Sequence, residues 1–147
     1  MITNTIEEVL RQEGKFIDVP VGNSMYPLLK HKQTAFVIET LNTKPRKNDV
    51  VLFKRGSAYV LHRIIRSLPN ENFRIRGDNC LAYDNVKAEQ ILGIMTGFYK
   101  GERHIDCNSN IEYKIYMLYY RPLFWIRKAF GYGKRLLKRI IKDGNRN

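Results

Sequence analysis

Asp49-Val50-Val51-Leu52-Phe53-Lys54-Arg55-Gly56-Ser57-Ala58-Tyr59-Val60-Leu61-His62-Arg63-Ile64-Ile65 is the stretch that decides the fold of this 147-residue chain. Two runs rich in β-branched and aromatic residues flank Arg55-Gly56-Ser57, which reads as a turn. Toward the N-terminus, Ala35-Phe36-Val37-Ile38-Glu39 and Phe16-Ile17-Asp18-Val19-Pro20-Val21 have the same character, and a polar, proline-containing connection follows the former. Toward the C-terminus, residues 73–76 and 91–99 read as further strands, with turns at Pro69-Asn70-Glu71-Asn72 and Lys100-Gly101-Glu102. Short strands recurring about every ten residues predict a mainly β, mostly antiparallel domain.

The ends of the chain read differently. Thr5-Ile6-Glu7-Glu8 opens like a capped helix with Ile6, Val9 and Leu10 on one face, and Gly14 would close it. After Asn108-Ser109-Asn110 the apolar spacing changes to three and four: Tyr113, Tyr116, Met117, Tyr120, Phe124 and Trp125, then Ile126, Phe130, Leu136, Leu137, Ile140 and Ile141. That spacing predicts two C-terminal amphipathic helices, with breaks near Arg121-Pro122 and near Gly131-Tyr132-Gly133. The division expected is a β domain over 1–110 and a helical tail over 111–147.

A hydrophobic content of 44% with 12% aromatics is that of a globular chain. Cys80 and Cys107 lack metal-ligand spacing and read as two packed, reduced thiols, with a single disulfide open only to an exported chain. The net charge of +12 is lopsided: residues 111–147 hold ten Lys or Arg against Glu112 and Asp143, a net +8. This tail has three readings: a helix packed on its own domain, an interfacial membrane helix, or, least supported, a nucleic-acid contact. The N-terminal residues lack the basic start and apolar block of a signal peptide, and no stretch matches a transmembrane helix. A cytoplasmic or peripheral membrane location is therefore expected.

Chemistry concentrates in Gly22-Asn23-Ser24-Met25-Tyr26-Pro27 and in His62, Asp78 and Asp84. A serine attacks a carbonyl only when a base takes its proton, and His62 is the base that fits. Strand alternation puts His62 on the face of Val60 and Ile64, opposite Leu61 and Arg63. Asp84 or Asp78 would orient the imidazole. His31 and His104 read as solvated, the latter in a polar loop after the last strand.

Four boxes in order give the chain a family resemblance across about residues 18 to 101. Gly22-Asn23-Ser24-Met25-Tyr26-Pro27 resembles the nucleophile box of the signal peptidase I and LexA-like serine peptidases. Lys47-Asn48-Asp49-Val50-Val51-Leu52-Phe53-Lys54 is similar to their next strand. Leu61-His62-Arg63-Ile64-Ile65 and Arg76-Gly77-Asp78-Asn79, with Asp84 beyond, resemble the histidine-dependent, endoplasmic-reticulum and archaeal branch. The resemblance implies the LexA/signal-peptidase-like β fold and a serine endopeptidase that cleaves a leader or signal peptide through an acyl-enzyme, with no cofactor or metal. It implies Ser24 as nucleophile, His62 as base, Asp84 as orienter and Asp78 as the second acid, the last two open to exchange. Lys54 falls where that branch carries a lysine outside the site. The oxyanion would rest on the backbone N–H of Ser24, helped by Asn23. Val21, Met25, Phe36 and Val37 are the expected walls of shallow pockets for small substrate side chains. The chain departs from signal peptidases in two respects: Gly22 replaces a serine that assists the oxyanion, and no N-terminal membrane segment is expected; the helix-turn-helix domain of the repressors is not expected either. Gly22 motivates the alternative of a catalytically inactive peptidase-fold module for regulation or membrane-surface binding.

Overall fold

The computed structural model describes residues 5–144. The first helix, α1 (Ile6–Glu13), begins with a reciprocal cap: Thr5 Oγ1 accepts from the Glu8 N–H while the Glu8 carboxylate accepts from the Thr5 N–H. It closes on Gly14, whose φ of +68° is the left-handed conformation of a helix C-cap. Eight strands follow: β1 (Lys15–Asp18), β2 (Phe36–Glu39), β3 (Val50–Arg55), β4 (Ala58–Ser67), β5 (Asn72–Arg76), β6 (Asp84–Lys87), β7 (Ile91–Lys100) and β8 (Arg103–Asp106). All pairings are antiparallel, in the order β1-β2-β7-β3-β4-β5-β6, and β8 pairs with residues 97–100 of β7. The expected mainly β, antiparallel class is what the structure contains.

The central hairpin explains why its strands read as almost unbroken apolar runs. Val50 and Leu52 of β3 enter one core cluster with Leu61, Phe36, Ile38, Met95 and Phe98, while Val51 and Phe53 enter a second with Ile64, Phe73, Ile75 and Val86. The sheet is therefore covered on both faces at its centre, and polar alternation there would strand charges in the core.

Two edge strands fall where the sequence suggested none. β6 and β8 each place a single residue in the core, Val86 and Ile105 respectively, between polar neighbours. His104 therefore lies on β8, its ring 5.0 Å from that of Tyr99, and not in a loop.

The tail is one helix, α2 (Ile111–Gly144), where two were expected. Asn110 caps it by accepting from the Glu112 and Tyr113 N–H groups. Pro122 lies inside the helix at a cost of about 3 kcal/mol. Tyr120 and Phe124 on either side of it are buried, and each such burial contributes about 1.5–3 kcal/mol, enough together to carry the helix across. Gly131 and Gly133 cost about 1 kcal/mol each, too little to end a helix. The side chains of Leu136 and Ile140, and of Lys134, Arg135, Lys138, Arg139 and Lys142, lie outside what the structure describes, as does Arg146. Within the described residues no helix is long and apolar enough to cross a membrane.

Candidate active site

Residues 22–27 form a tight turn between β1 and β2 that is pinned from three sides. Gly22, at φ +108°, donates its N–H to His31 Nδ1 at 2.7 Å. This left-handed φ favours glycine. Met25 anchors the turn in the core at 2% exposure. Asn79 holds the other flank, its N–H donating to the Ser24 carbonyl at 2.8 Å and its Nδ2 to the Asn23 carbonyl at 3.0 Å. Asn79 is itself fixed by Arg127 of α2, which donates to Asn79 Oδ1 at 2.7 Å and stacks 4.9 Å over the Tyr26 ring. Sequence reading missed the roles of His31 and Arg127, because the exposed turn and the remote helix give no local pattern linking them.

Strand β4 sends consecutive side chains to opposite faces. His62, paired with Val51, is 7% exposed with its ring 6.1 Å from that of Phe53. Its Nδ1 lies 3.3 Å from Asp84 Oδ2, within ion-pair reach, and makes no closer polar contact among the described residues. Arg55 takes the second Asp84 oxygen at 3.1 Å. On the opposite face Arg63 is fully buried and meets Asp78 in a bidentate pair, Nε to Oδ1 and Nη2 to Oδ2, both 2.7 Å. Tyr116 donates to Asp78 at 2.8 Å, and Arg63 also donates to the Asn48 carbonyl and to Tyr113. The Asp78 carboxylate is thus occupied away from the imidazole, and the place beside His62 Nδ1 goes to Asp84.

Ser24, His62 and Asp84 line one cavity of about 470 Å³. Val21, Met25 and Phe36 line it, together with Ile6, Leu52 and Tyr59. Val37 does not. It is 1% exposed and, next to Phe36 on a strand, points to the other side of the sheet. The Ser24 N–H donates no hydrogen bond within the described residues, so it is open to a ligand oxygen, and the Asn23 side chain is likewise unengaged. Cys80 also lines the cavity, but burial pushes its thiol pKa up, away from the reactive thiolate. Cys80 and Cys107 are both free.

Lys54 lies apart from this cavity. It pairs with Glu7 of α1 at 2.7 Å, and Lys54 together with the Tyr59 hydroxyl holds the Glu7 carboxyl down at about 2. The same pairing raises the Lys54 pKa, the wrong direction for a base. Burial lowers the His62 pKa, and the nearby Asp84 carboxylate only partly offsets this. His62 is therefore neutral and able to accept a proton at pH 7. Were His62 to act as a general base, the acid limb of kcat/KM would lie below the ordinary histidine value of 6.5, and a pH–rate profile with its limb above that value would exclude that role.

Gly77 is where the boxes meet. A Cβ there would lie 2.6 Å from the Ser24 carbonyl oxygen, 2.8 Å from Cys80 Sγ and 3.0 Å from His62 Nε2. The first of these is backbone and cannot swing aside. Gly77→Ala is expected to displace the 22–27 turn, and any reaction at Ser24 would then slow by about a hundredfold. Gly131→Ala, in open space on α2, serves as the control and should leave that rate unchanged.

Comparison with protein-family models gives no match, and comparison with curated proteins gives none either.

Proposed function

We propose that this chain is a serine endopeptidase of the LexA/signal-peptidase-like type, working by a Ser24–His62–Asp84 mechanism. The observation that carries the reading is that a turn serine, a buried histidine and a carboxylate 3.3 Å from that histidine's Nδ1 line one cavity. Ser24 Oγ attacks the scissile carbonyl carbon while His62 Nε2 takes its proton, and the Ser24 N–H receives the oxyanion. Collapse of the tetrahedral intermediate breaks the C–N bond, and the imidazolium returns the proton to the leaving amine. Water, deprotonated by the same imidazole, then attacks the ester, and the imidazolium returns that proton to Ser24 Oγ as the C–O bond breaks and the acid is released. Asp84 steadies the imidazolium, and Asp78 supports the site from behind through Arg63.

The walls of the cavity, mostly apolar around Val21, Met25 and Phe36, suit a substrate with small apolar side chains beside the cleaved bond. The substrate class proposed is the leader of a secreted or modified peptide. Cleavage of short leader peptides after small residues by the wild-type chain, and none by Ser24→Ala, is the expected result. Efficient cleavage of ordinary signal peptides with none of leader peptides would count against this substrate class.

A second reading, a peptidase-fold module that binds peptide without cutting it, is favoured by one observation. Ser24 Oγ and His62 Nε2 make no hydrogen bond within the described residues. Apo sites often have such loose contacts, which tighten when substrate arrives, so hydrolysis remains the main reading.

A further inference from the structure

The helix α2 carries two apolar faces, and the β domain covers only one of them. Tyr113, Tyr120 and Phe124 are buried against the domain, with the Arg76 guanidinium 4.5 Å from the Phe124 ring. Leu118 and Trp125 are 80% and 59% exposed. Farther along, Ile126, Phe130, Leu137 and Ile141 are all more than half exposed, at spacings of four, seven and four that set them on one stripe. Ala129, Phe130, Gly133 and Leu137 line a shallow apolar groove along it. At 34 residues the helix is about 50 Å long, and Arg127 makes its last polar contact with the domain among the described residues.

We infer that this second face of α2 lies on the surface of an anionic lipid bilayer. Charge selects this occupant. Residues 111–147 carry ten Lys or Arg against two acids, so a second copy docked on the same stripe would set two such tails against each other, whereas anionic headgroups neutralise them. The helix is not apolar enough to span, so it lies in the plane of the interface. Arg127, on the same helix, holds the nucleophile turn through Asn79, so a bilayer under α2 keeps the cavity beside the membrane surface.

Flotation of the full chain with vesicles tests this. Partitioning onto phosphatidylcholine vesicles containing phosphatidylglycerol should greatly exceed that onto phosphatidylcholine alone, and should weaken as salt is raised. The double variant Ile126→Asp, Phe130→Asp changes two exposed side chains and should keep the wild-type circular dichroism while losing partitioning on the order of a hundredfold. Ser24→Ala should float like wild type, so the outcome is independent of the peptidase reading. Equal flotation of the double variant and wild type would overturn the inference, as would no flotation of the wild type. A wild-type dimer in sedimentation that the double variant converts to monomer, with neither floating, would assign the stripe to a second copy instead.

Discussion

Replacing His62 by glutamine is expected to lower the rate of peptide cleavage by roughly 10²–10⁴-fold while the fold persists. Glutamine approximates the volume of imidazole against Phe53 and Val51 but cannot take the Ser24 proton at neutral pH. Asp84→Asn should fall in the same range, because the amide no longer steadies the imidazolium. The pH profile separates positioning from simple damage. Asp84 is the neighbour that most raises the His62 pKa, whereas Arg55 lowers it and Asp78 contributes little from behind. With Asp84 neutral, burial and Arg55 act almost unopposed, so the acid limb of Asp84→Asn should move to lower pH even as kcat falls. A limb that moved up, or an unchanged kcat, would remove Asp84 from the mechanism.

His62 also leaves a signature in stability. Its pKa is depressed in the folded chain, so the unfolded chain binds more protons between pH 6.5 and the lowered folded value. Stability should therefore rise with pH across that window, and His62→Gln should remove this part of the slope. Urea denaturation of both proteins at pH 5 to 7.5 measures it.

The largest effect on stability is expected at Asp78. Its carboxylate and the Arg63 guanidinium are both almost wholly buried, and removing one partner leaves the other charge uncompensated. Asp78→Ala should cost about 3–5 kcal/mol in chemical denaturation, against about 0–1 kcal/mol for an exposed pair such as Lys44–Glu71. Three tyrosine rings of α2, from Tyr113, Tyr116 and Tyr120, lie within 5.9 Å of the Arg63 guanidinium carbon. The same variant should therefore loosen α2, seen as faster amide exchange over residues 111–124. The double change Arg63→Met, Asp78→Leu should recover much of the loss, because it removes both buried charges. A cost for Asp78→Ala below about 1 kcal/mol would show that this pair does not join helix to sheet.

Much of this architecture was legible in the sequence, for identifiable reasons. Strands β2 to β5 and β7 carry enough Val, Ile, Leu and Phe to mark themselves, because the centre of the sheet is covered on both faces. β6 and β8 escaped notice because an edge strand with one core residue has no apolar rhythm to read. The break expected at Pro122 assumed that local propensity decides, whereas burial of Tyr120 and Phe124 overrides it. At the candidate site, Ser24, His62 and Asp84 were legible as residue types in recognisable boxes. Their support was not. Arg63 reads as a polar side chain opposite His62, and only the third dimension reveals that it holds Asp78 and the rings of α2. Val37 was misplaced because strand alternation turns it away from Phe36 and Ile38, which enter one core cluster without it.

The most direct measurement is mass mapping of the intact chain after treatment with a serine-directed acylating probe. One adduct is expected, on Ser24, absent in Ser24→Ala and formed far more slowly in His62→Gln. An unlabelled wild-type chain, or labelling of Ser24 at the same rate with His62 replaced, would contradict the proposal that Ser24 and His62 act as nucleophile and base.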